Sequence, residues 1–124
     1  MLKDADAMAT IAVKDLEAAK KFYGEKIGLP ILSEQMGVLT LASGKSKITV
    51  YVSQYAGTNK ATSATWVVPD AGAEVNALKS KGVKFEHYDN LPGLTRKGDL
   101  HVAGTFKGAW VKDPDGNILH ILSV

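Results

Sequence analysis

The side chain best suited to chemistry is that of His120, the one polar residue of the strand-like segment Ile118–Leu122. An imidazole can bind a metal ion, accept a proton or contact a ligand. One imidazole cannot by itself hold a divalent ion, and neither His87 nor His101 stands at a diagnostic spacing from His120. We therefore treat His120 as a candidate for ligand contact. A general base and a satisfied structural residue are the other roles open to it, and it becomes a metal ligand only if other groups join it.

Aromatic side chains form the second set of candidates, because a ring stacks on a planar ligand and a phenol can also donate a hydrogen bond. Tyr51 is one of them. Phe106 and Trp110 are four residues apart and so share one face of a predicted strand, which either lines a cleft or forms the back of a sheet. Trp66 is expected in the core, which places Thr65 on the opposite, ligand-facing side of its strand.

Other chemistry is excluded or weakly indicated by the composition. The chain has no cysteine, so it contains no disulfide, thiolate zinc site or cysteine nucleophile. No glycine-rich phosphate loop leads from a strand into a helix. Arg96, the only arginine, lies in the long segment 89–104 and either meets an anionic group or is solvated at the surface.

An internal repeat organises the elements that carry these residues. Each half opens with a β-prone strand and an aspartate that can cap a following helix, and Thr10–Asp15 matches Thr65–Asp70 at one fixed offset. Gly28 and Gly82 end the two predicted helices. Strands are then predicted at 31–34, 38–42 and 47–52 in the first half, and at 83–88, 105–112 and 118–123 in the second half.

Two motifs accompany the repeat: Phe22-Tyr23 followed by Gly28-Leu29, and the turn Asp113–Asn117. Together with the doubled βαβββ pattern they resemble the vicinal oxygen chelate superfamily of glyoxalases, bleomycin-resistance proteins and ring-cleaving dioxygenases. The resemblance implies an α+β fold in a single domain spanning 1–124. It further implies two βαβββ modules, about 8–54 and 63–124 with a linker at 55–62, that form a mixed eight-stranded curved sheet with a cleft. Homodimers are also expected.

The resemblance also bears on the metal. Members that use one place ligands on the first and fourth strands of each module. The corresponding residues here are Met8, Ser63, Tyr51 (or Val50 in the other register) and, where the family has a glutamate, His120. A thioether and a phenol do not suit hard divalent ions. No cofactor is therefore predicted, and a divalent metal held through His120 is the alternative.

We expect a metal-independent binding protein for a small hydrophobic or aromatic ligand, in the manner of the bleomycin-resistance proteins. No catalytic residue is assigned, and the expected ligand contacts are Met8, Tyr51, Thr65, Phe106, Trp110 and His120. The alternative is a metal-dependent glyoxalase-like lyase or isomerase, or a dioxygenase, that uses His120. Two further interpretations are open. One is a cofactor-free enzyme that uses His120 as base, and the other is an interaction or accessory subunit whose role is to form the dimer.

Charge and hydropathy limit the partners. The net charge is +2 and the lysines are scattered among acidic residues, which argues against a nucleic-acid partner. No segment is apolar enough to span a bilayer, and the N-terminus lacks the apolar core of a signal peptide. A cytoplasmic protein without a membrane partner is expected.

Overall fold

The computed structural model describes every residue from Met1 to Val124. A short 3-10 turn at Leu2–Asp4 precedes nine strands and two helices. The first module contains β1 (Ala9–Val13), α1 (Leu16–Ala19, continued by a π-helix at Lys20–Lys26), β2 (Ile31–Gln35), β3 (Val38–Ser43) and β4 (Ser46–Val52). The second contains β5 (Thr62–Val67), α2 (Ala71–Ser80), β6 (Thr95–Lys97), β7 (Leu100–Ala103), β8 (Phe106–Lys112) and β9 (Ile118–Ser123). Both helices are too short or too polar to cross a lipid bilayer.

The predicted helix ends are confirmed by the capping contacts. The Asp15 carboxylate accepts a hydrogen bond from the Glu17 N–H at 2.9 Å, and the Asp70 carboxylate accepts one from the Ala73 N–H at 3.1 Å. These bonds satisfy amides that have no partner in the first helical turn. Gly28 and Gly82 follow the two helices with φ values of 87° and 84°, a conformation that glycine adopts without strain.

The strands form two sheets with the same internal order. The first sheet runs β1-β4-β3-β2, with β1 parallel to β4, and the second runs β5-β9-β8-β7-β6, with β5 parallel to β9. The α+β class is therefore confirmed, and the matching strand order shows the βαβββ repeat. The strands number nine in sheets of four and five, where the sequence led us to expect eight in one curved sheet.

The segment between α2 and β8 differs from its prediction. Residues 83–88 do not form a strand: Phe85 alone makes a β-bridge, to Val111. Segment 89–104 is not a continuous loop, because β6 and β7 form a hairpin whose turn contains Gly98 at a φ of 65°. The physical reason is competition for one edge of β8, whose first part is paired with β7 and leaves only its later part for Phe85.

One core joins the two modules. It contains residues of both sheets on the side that faces the helices, together with the helical residues Phe22, Tyr23 and Leu78. Alternate strand residues point to opposite sides of a sheet, so the neighbours of the core residues form a second face. We call this side of each sheet, away from the helices, the open face. The core strand residues are Ile11, Val13, Leu39, Leu41, Ile48, Val50, Val111, Leu119 and Ile121.

The closing turn fastens the second module to the first. The Tyr23 hydroxyl donates to Asp113 Oδ2 at 2.7 Å, and Asn117 Nδ2 donates both to Asp113 Oδ2 and to the Ala12 carbonyl, each at 2.8 Å. The Lys14 N–H donates to Asp115 Oδ2. Burial, aided by the Asp113 carboxylate, raises the pKa of the Tyr23 phenol, so the phenol remains a donor. The turn therefore connects β8 to β9 and also holds the modules together.

Candidate functional site

Three of the predicted ligand-contact residues meet on the open face of the second sheet. Trp110 of β8 and His120 of β9 are direct partners in the antiparallel ladder. Their rings stack with centroids 4.1 Å apart and planes within 1° of parallel, and the Phe106 ring lies 6.3 Å from the imidazole. The face shared by Phe106 and Trp110 is thus the open face and not the core side.

Gly108 makes room for this arrangement. It lies between Phe106 and Trp110 on the same face of β8. A Cβ atom added at Gly108 would stand 2.8 Å from His120 Nε2 and 3.0 Å from Phe106 Cζ, closer than ordinary van der Waals contact. Because Gly108 has no side chain, the His120 imidazole can occupy the space above its Cα atom.

His101 and Tyr88 complete the cluster of rings. His101 is fully buried, its Nε2 accepts the Tyr88 N–H at 2.9 Å, and its Nδ1 lies 3.2 Å from the Gly108 carbonyl. These partners require a neutral ring that carries its proton on Nδ1. Trp110 makes edge contacts with both rings, at 4.9 Å to His101 and 5.5 Å to Tyr88. His101 is therefore a structural support with no free nitrogen. We call Tyr88, His101, Phe106, Trp110 and His120 the aromatic cluster.

His120 differs from His101 because it lacks partners. Its Nε2 is buried and makes no hydrogen bond within the chain. Burial lowers the pKa of His120, because the charged form loses its hydration. The imidazole is consequently neutral at pH 7. Its Nε2 atom points toward Gly108 and Phe106.

An open cleft of about 750 Å³ lies beside the aromatic cluster. Trp110 and Ile118 line it from the sheet, residues 57–62 form one wall, and Tyr88 and Leu91 form another. His120 does not line the cleft, and its ring covers one face of the indole. The indole of Trp110 therefore presents its other face or its edge to a molecule in the cleft.

The wall at residues 57–62 is held against the closing turn. Gly57 has a φ of 78°, and a Cβ atom added there would overlap the Asp115 carbonyl oxygen. The Asn59 side chain accepts the Ala61 N–H at 3.0 Å and donates to Ser63 Oγ at 3.4 Å. Glycine and these local bonds hold the connector in place, so the cleft is formed by the folded chain itself.

Two lysines are the charged groups of the cleft lining, Lys60 and Lys112. Lys112 Nζ lies 3.3 Å from Glu86 Oε1, whereas Lys60 has no ion-pair partner. Burial and the Glu86 charge raise the pKa of the Tyr88 phenol, and Lys112 opposes this shift. Tyr88 thus keeps its proton at neutral pH and can donate a hydrogen bond.

The remaining predicted contacts are spread over the chain. Thr65 is exposed on β5 and pairs in register with His120. Met8, 49% exposed, precedes β1, and Tyr51, 37% exposed, lies on β4 next to Ala12. No ring contact joins Tyr51 to the aromatic cluster. Val50 is fully buried in the core, and Trp66 packs against that core with its Nε1–H donated to Ser43 Oγ at 2.8 Å.

The polar residues of segment 87–101 bind one another. His87 Nε2 lies 2.8 Å from Asp99 Oδ1 while Lys79 Nζ lies 2.7 Å from Asp99 Oδ2, and the bond from Lys79 lowers the pKa of Asp99. Arg96 donates to Asp89 Oδ1 at 2.7 Å and to the Gly98 carbonyl. Arg96 thus ties its own hairpin together at the surface.

The possible metal-donor side chains are dispersed over the chain. No three His, Asp or Glu side chains converge on a common point. A zinc site uses three or four such ligands, and at the family's ligand positions only His120 offers one. The arrangement can place a flat molecule in the cleft against the indole of Trp110, next to Tyr88 and the two lysines.

The sequence did not predict that Tyr88 lines the cleft or that His101 is buried with both ring nitrogens bonded. Tyr88 ends a β-prone segment, and this was the only signal for it. His101 was considered as a second metal ligand in a loop, and the structure places it on β7 with both nitrogens bonded. Both residues acquire their neighbours from strand pairing, which the local sequence does not specify.

The fold and the motifs agree with a direct comparison of sequences. The family model described as the Glyoxalase/Bleomycin resistance protein/Dioxygenase superfamily matches residues 7–121. The chain belongs to this superfamily. No curated protein sequence matches the chain significantly.

Solved structures of similar fold cover almost the whole chain. A glyoxalase family protein from Enterococcus faecalis superposes with a TM-score of 0.71 at 20% identity, covering 98% of this chain and 99% of that one. The lactoylglutathione lyase of Agrobacterium tumefaciens gives 0.70 at 16% identity, with 97% and 93% covered. An antibiotic binding protein from a Streptomyces species gives 0.61 at 22% identity, with 97% of each chain covered. At these identities the likeness concerns the fold.

Proposed function

We propose that this chain is a metal-independent binding protein for a small planar, aromatic or conjugated molecule. The observation that carries the proposal is the Trp110–His120 stack beside a cleft of about 750 Å³. A ring supported from behind loses little conformational freedom when a ligand stacks on it. Ligand pockets typically combine apolar and aromatic side chains with a small number of polar groups, and this cleft combines Trp110, Leu91 and Ile118 with Tyr88 and two lysines.

Two further observations support binding over turnover. The chain lacks a converging set of metal donors. In addition, Nε2 of His120 faces Gly108 and Phe106 and not the cleft, where a substrate proton would lie. The structurally similar Streptomyces protein is an antibiotic binding protein, which shows that this fold can serve such a role.

The two tryptophans allow a site-resolved test. Trp110 lines the cleft, whereas Trp66 lies on the core side of the second sheet. We expect aromatic compounds, including bleomycin-type antibiotics, to shift the indole N–H resonance of Trp110 in a ¹⁵N-labelled protein and to leave that of Trp66 in place. The Trp66→Phe variant assigns the two signals. Absence of any shift at Trp110 across a broad panel would contradict the proposal.

The alternative function is a glyoxalase-like lyase or isomerase, or a dioxygenase, that uses His120. One observation favours it: Nε2 of the neutral His120 imidazole makes no hydrogen bond within the chain, as a base or a metal ligand would require. Elemental analysis of protein purified without chelator distinguishes the readings, because stoichiometric metal would contradict metal-independent binding. An activity that disappears in His120→Ala would favour the enzyme.

The proposal includes a homodimer, as the family resemblance implies. Support comes from apolar side chains that lie exposed at the surface, among them Val67 at 72% and Met8 at 49%. Pairing with a second chain would bury them. We expect light scattering to give twice the mass of one chain and Val67→Glu to shift the protein toward monomer. A monomeric wild type at micromolar concentration would contradict this part of the proposal.

A further inference from the structure

We infer that the ligand of the cleft carries a negative charge in addition to its flat ring. This inference rests on the proposed binding function and specifies the class of ligand. The charged side chains that line the cleft are both cationic, Lys60 from the connector and Lys112 from β8, and no aspartate or glutamate side chain lines it.

The two lysines differ in how far they are already neutralised. Lys60 is exposed on the cleft wall and makes no ion pair. Lys112 is 49% exposed and shares a 3.3 Å contact with Glu86. Exposed ion pairs of this kind contribute little stability, so Lys112 can exchange Glu86 for a ligand anion at small cost. Lys60 is therefore the stronger anion contact, with Lys112 as a second one.

The two lysines and the Trp110 indole are placed to contact one molecule. Lys112 follows Trp110 by two residues and so projects from the same face of β8, about 7 Å farther along the strand. Lys60 stands on the wall that borders the same indole. A flat molecule of two or three fused rings stacked at Trp110 would hold a carboxylate, sulfonate or phosphate within reach of these ammonium groups.

The aromatic rings alone would suit a cation as well as an anion. A Trp and a Tyr attract cations through the faces of their rings. Two ammonium groups in the same cleft repel a cation, since the cleft lining offers no carboxylate to compensate them. Charge and rings together thus select an aromatic anion over an aromatic cation, and over a neutral isostere by a smaller margin.

Two fluorescent probes of matched shape test this inference. 8-Anilinonaphthalene-1-sulfonate and N-phenyl-1-naphthylamine share their rings and differ by the sulfonate. We expect the anion to bind about fivefold more tightly or better at low ionic strength. The advantage should shrink as salt is added, because exposed charges are screened. The Trp110 indole resonance shows whether each probe occupies the cleft.

Variants separate charge from shape. Lys60→Gln should weaken binding of the anion about fivefold and leave the neutral probe unchanged, and Lys60→Arg should retain both affinities. Lys45→Gln removes an exposed lysine of the β3–β4 turn, outside the cleft lining, and should change neither affinity.

Two results would overturn the inference and leave the binding function standing. One is equal binding of both probes in the cleft, and the other is an anion preference that survives Lys60→Gln and Lys112→Gln together. Absence of both probes from the cleft would count against the binding function itself.

Discussion

The two modules share one pattern of strand pairing and carry different side chains on their open faces. In the first module Thr10 pairs with Thr49, and Thr49 pairs with Thr40. In the second module Thr65 pairs with His120, and His120 pairs with Trp110. Thr40 and Thr49 are therefore the counterparts of Trp110 and His120, so the same scaffold holds two small hydroxyl side chains in one module and a ring stack in the other.

The next positions along the strands extend the contrast. Val38 pairs with Tyr51 where Gly108 pairs with Leu122. The first module thus has a side chain where the second has the gap that admits the imidazole. The connection after the helix also differs, because residues 27–30 lead into β2 whereas residues 81–94, with Tyr88 and Leu91, lead into β6. The two copies share one frame, and only the second carries the stacked rings and borders the cleft.

Removal of the Trp110 side chain is the strongest test of the difference between the two modules. We expect Trp110→Ala to destabilise the protein by about 3 kcal/mol, because a large side chain in contact with three other rings is lost, and to weaken aromatic ligands about tenfold. Thr40→Ala at the equivalent position should cost less than about 1 kcal/mol and leave binding unchanged. Urea unfolding and probe titration measure both quantities. Similar losses in the two variants would show that the modules are not functionally different.

Filling the gap at Gly108 should have an intermediate effect. The added methyl group of Gly108→Ala would meet His120 Nε2 and the Phe106 ring, so one of these two rings must shift. We expect a loss of about 1–2 kcal/mol, within the range for overpacked sites, and a changed near-ultraviolet circular dichroism of Trp110.

Gly72→Ala is the matched control for that substitution. Gly72 lies in α2 with ordinary backbone angles, and an added Cβ would have its nearest neighbours at 3.4 and 3.8 Å. Alanine is the better helix former, so this variant should be stabilised by about 0.5–1 kcal/mol. If Gly108→Ala is stabilised to the same degree, the ring stack does not depend on the missing side chain.

Local chemistry explains why much of the fold was predictable. The helix caps Asp15 and Asp70, the helix-ending Gly28 and Gly82, and the core side of Trp66 follow from side chains acting on their own neighbourhood, and all are confirmed. The internal repeat and its two motifs also predicted the superfamily, and the family model that matches residues 7–121 confirms that prediction.

The missed features depend on contacts between distant segments. Val83–Tyr88 has the composition of a strand, but β7 pairs with the first part of the same edge of β8 and leaves only one bridge, between Phe85 and Val111. The aromatic cluster likewise joins residues 88, 101, 106, 110 and 120, whose meeting requires the register of three strands. Tyr51 was taken as the counterpart of a family ligand position, whereas strand pairing makes Thr49 the counterpart of His120. Sequence can identify ring-bearing candidates, and register decides which of them share a site.

The smallest expected effect concerns pH, because only the second module has a titratable group at this position. The folded-state pKa of His120 lies below the 6.5 of a free imidazole, chiefly through burial. The unfolded chain therefore binds a proton more readily. The stability contributed by the neutral imidazole is fully present above about pH 6.5 and is lost as the pH falls through the folded-state pKa. Urea unfolding at about pH 7.5 and about pH 5.5 should show a smaller acid loss in His120→Gln than in the wild type. Thr49→Ala, its counterpart in the first module, removes no titratable group and should keep the wild-type pH difference. An unchanged pH difference in His120→Gln would contradict the lowered pKa of the stacked imidazole.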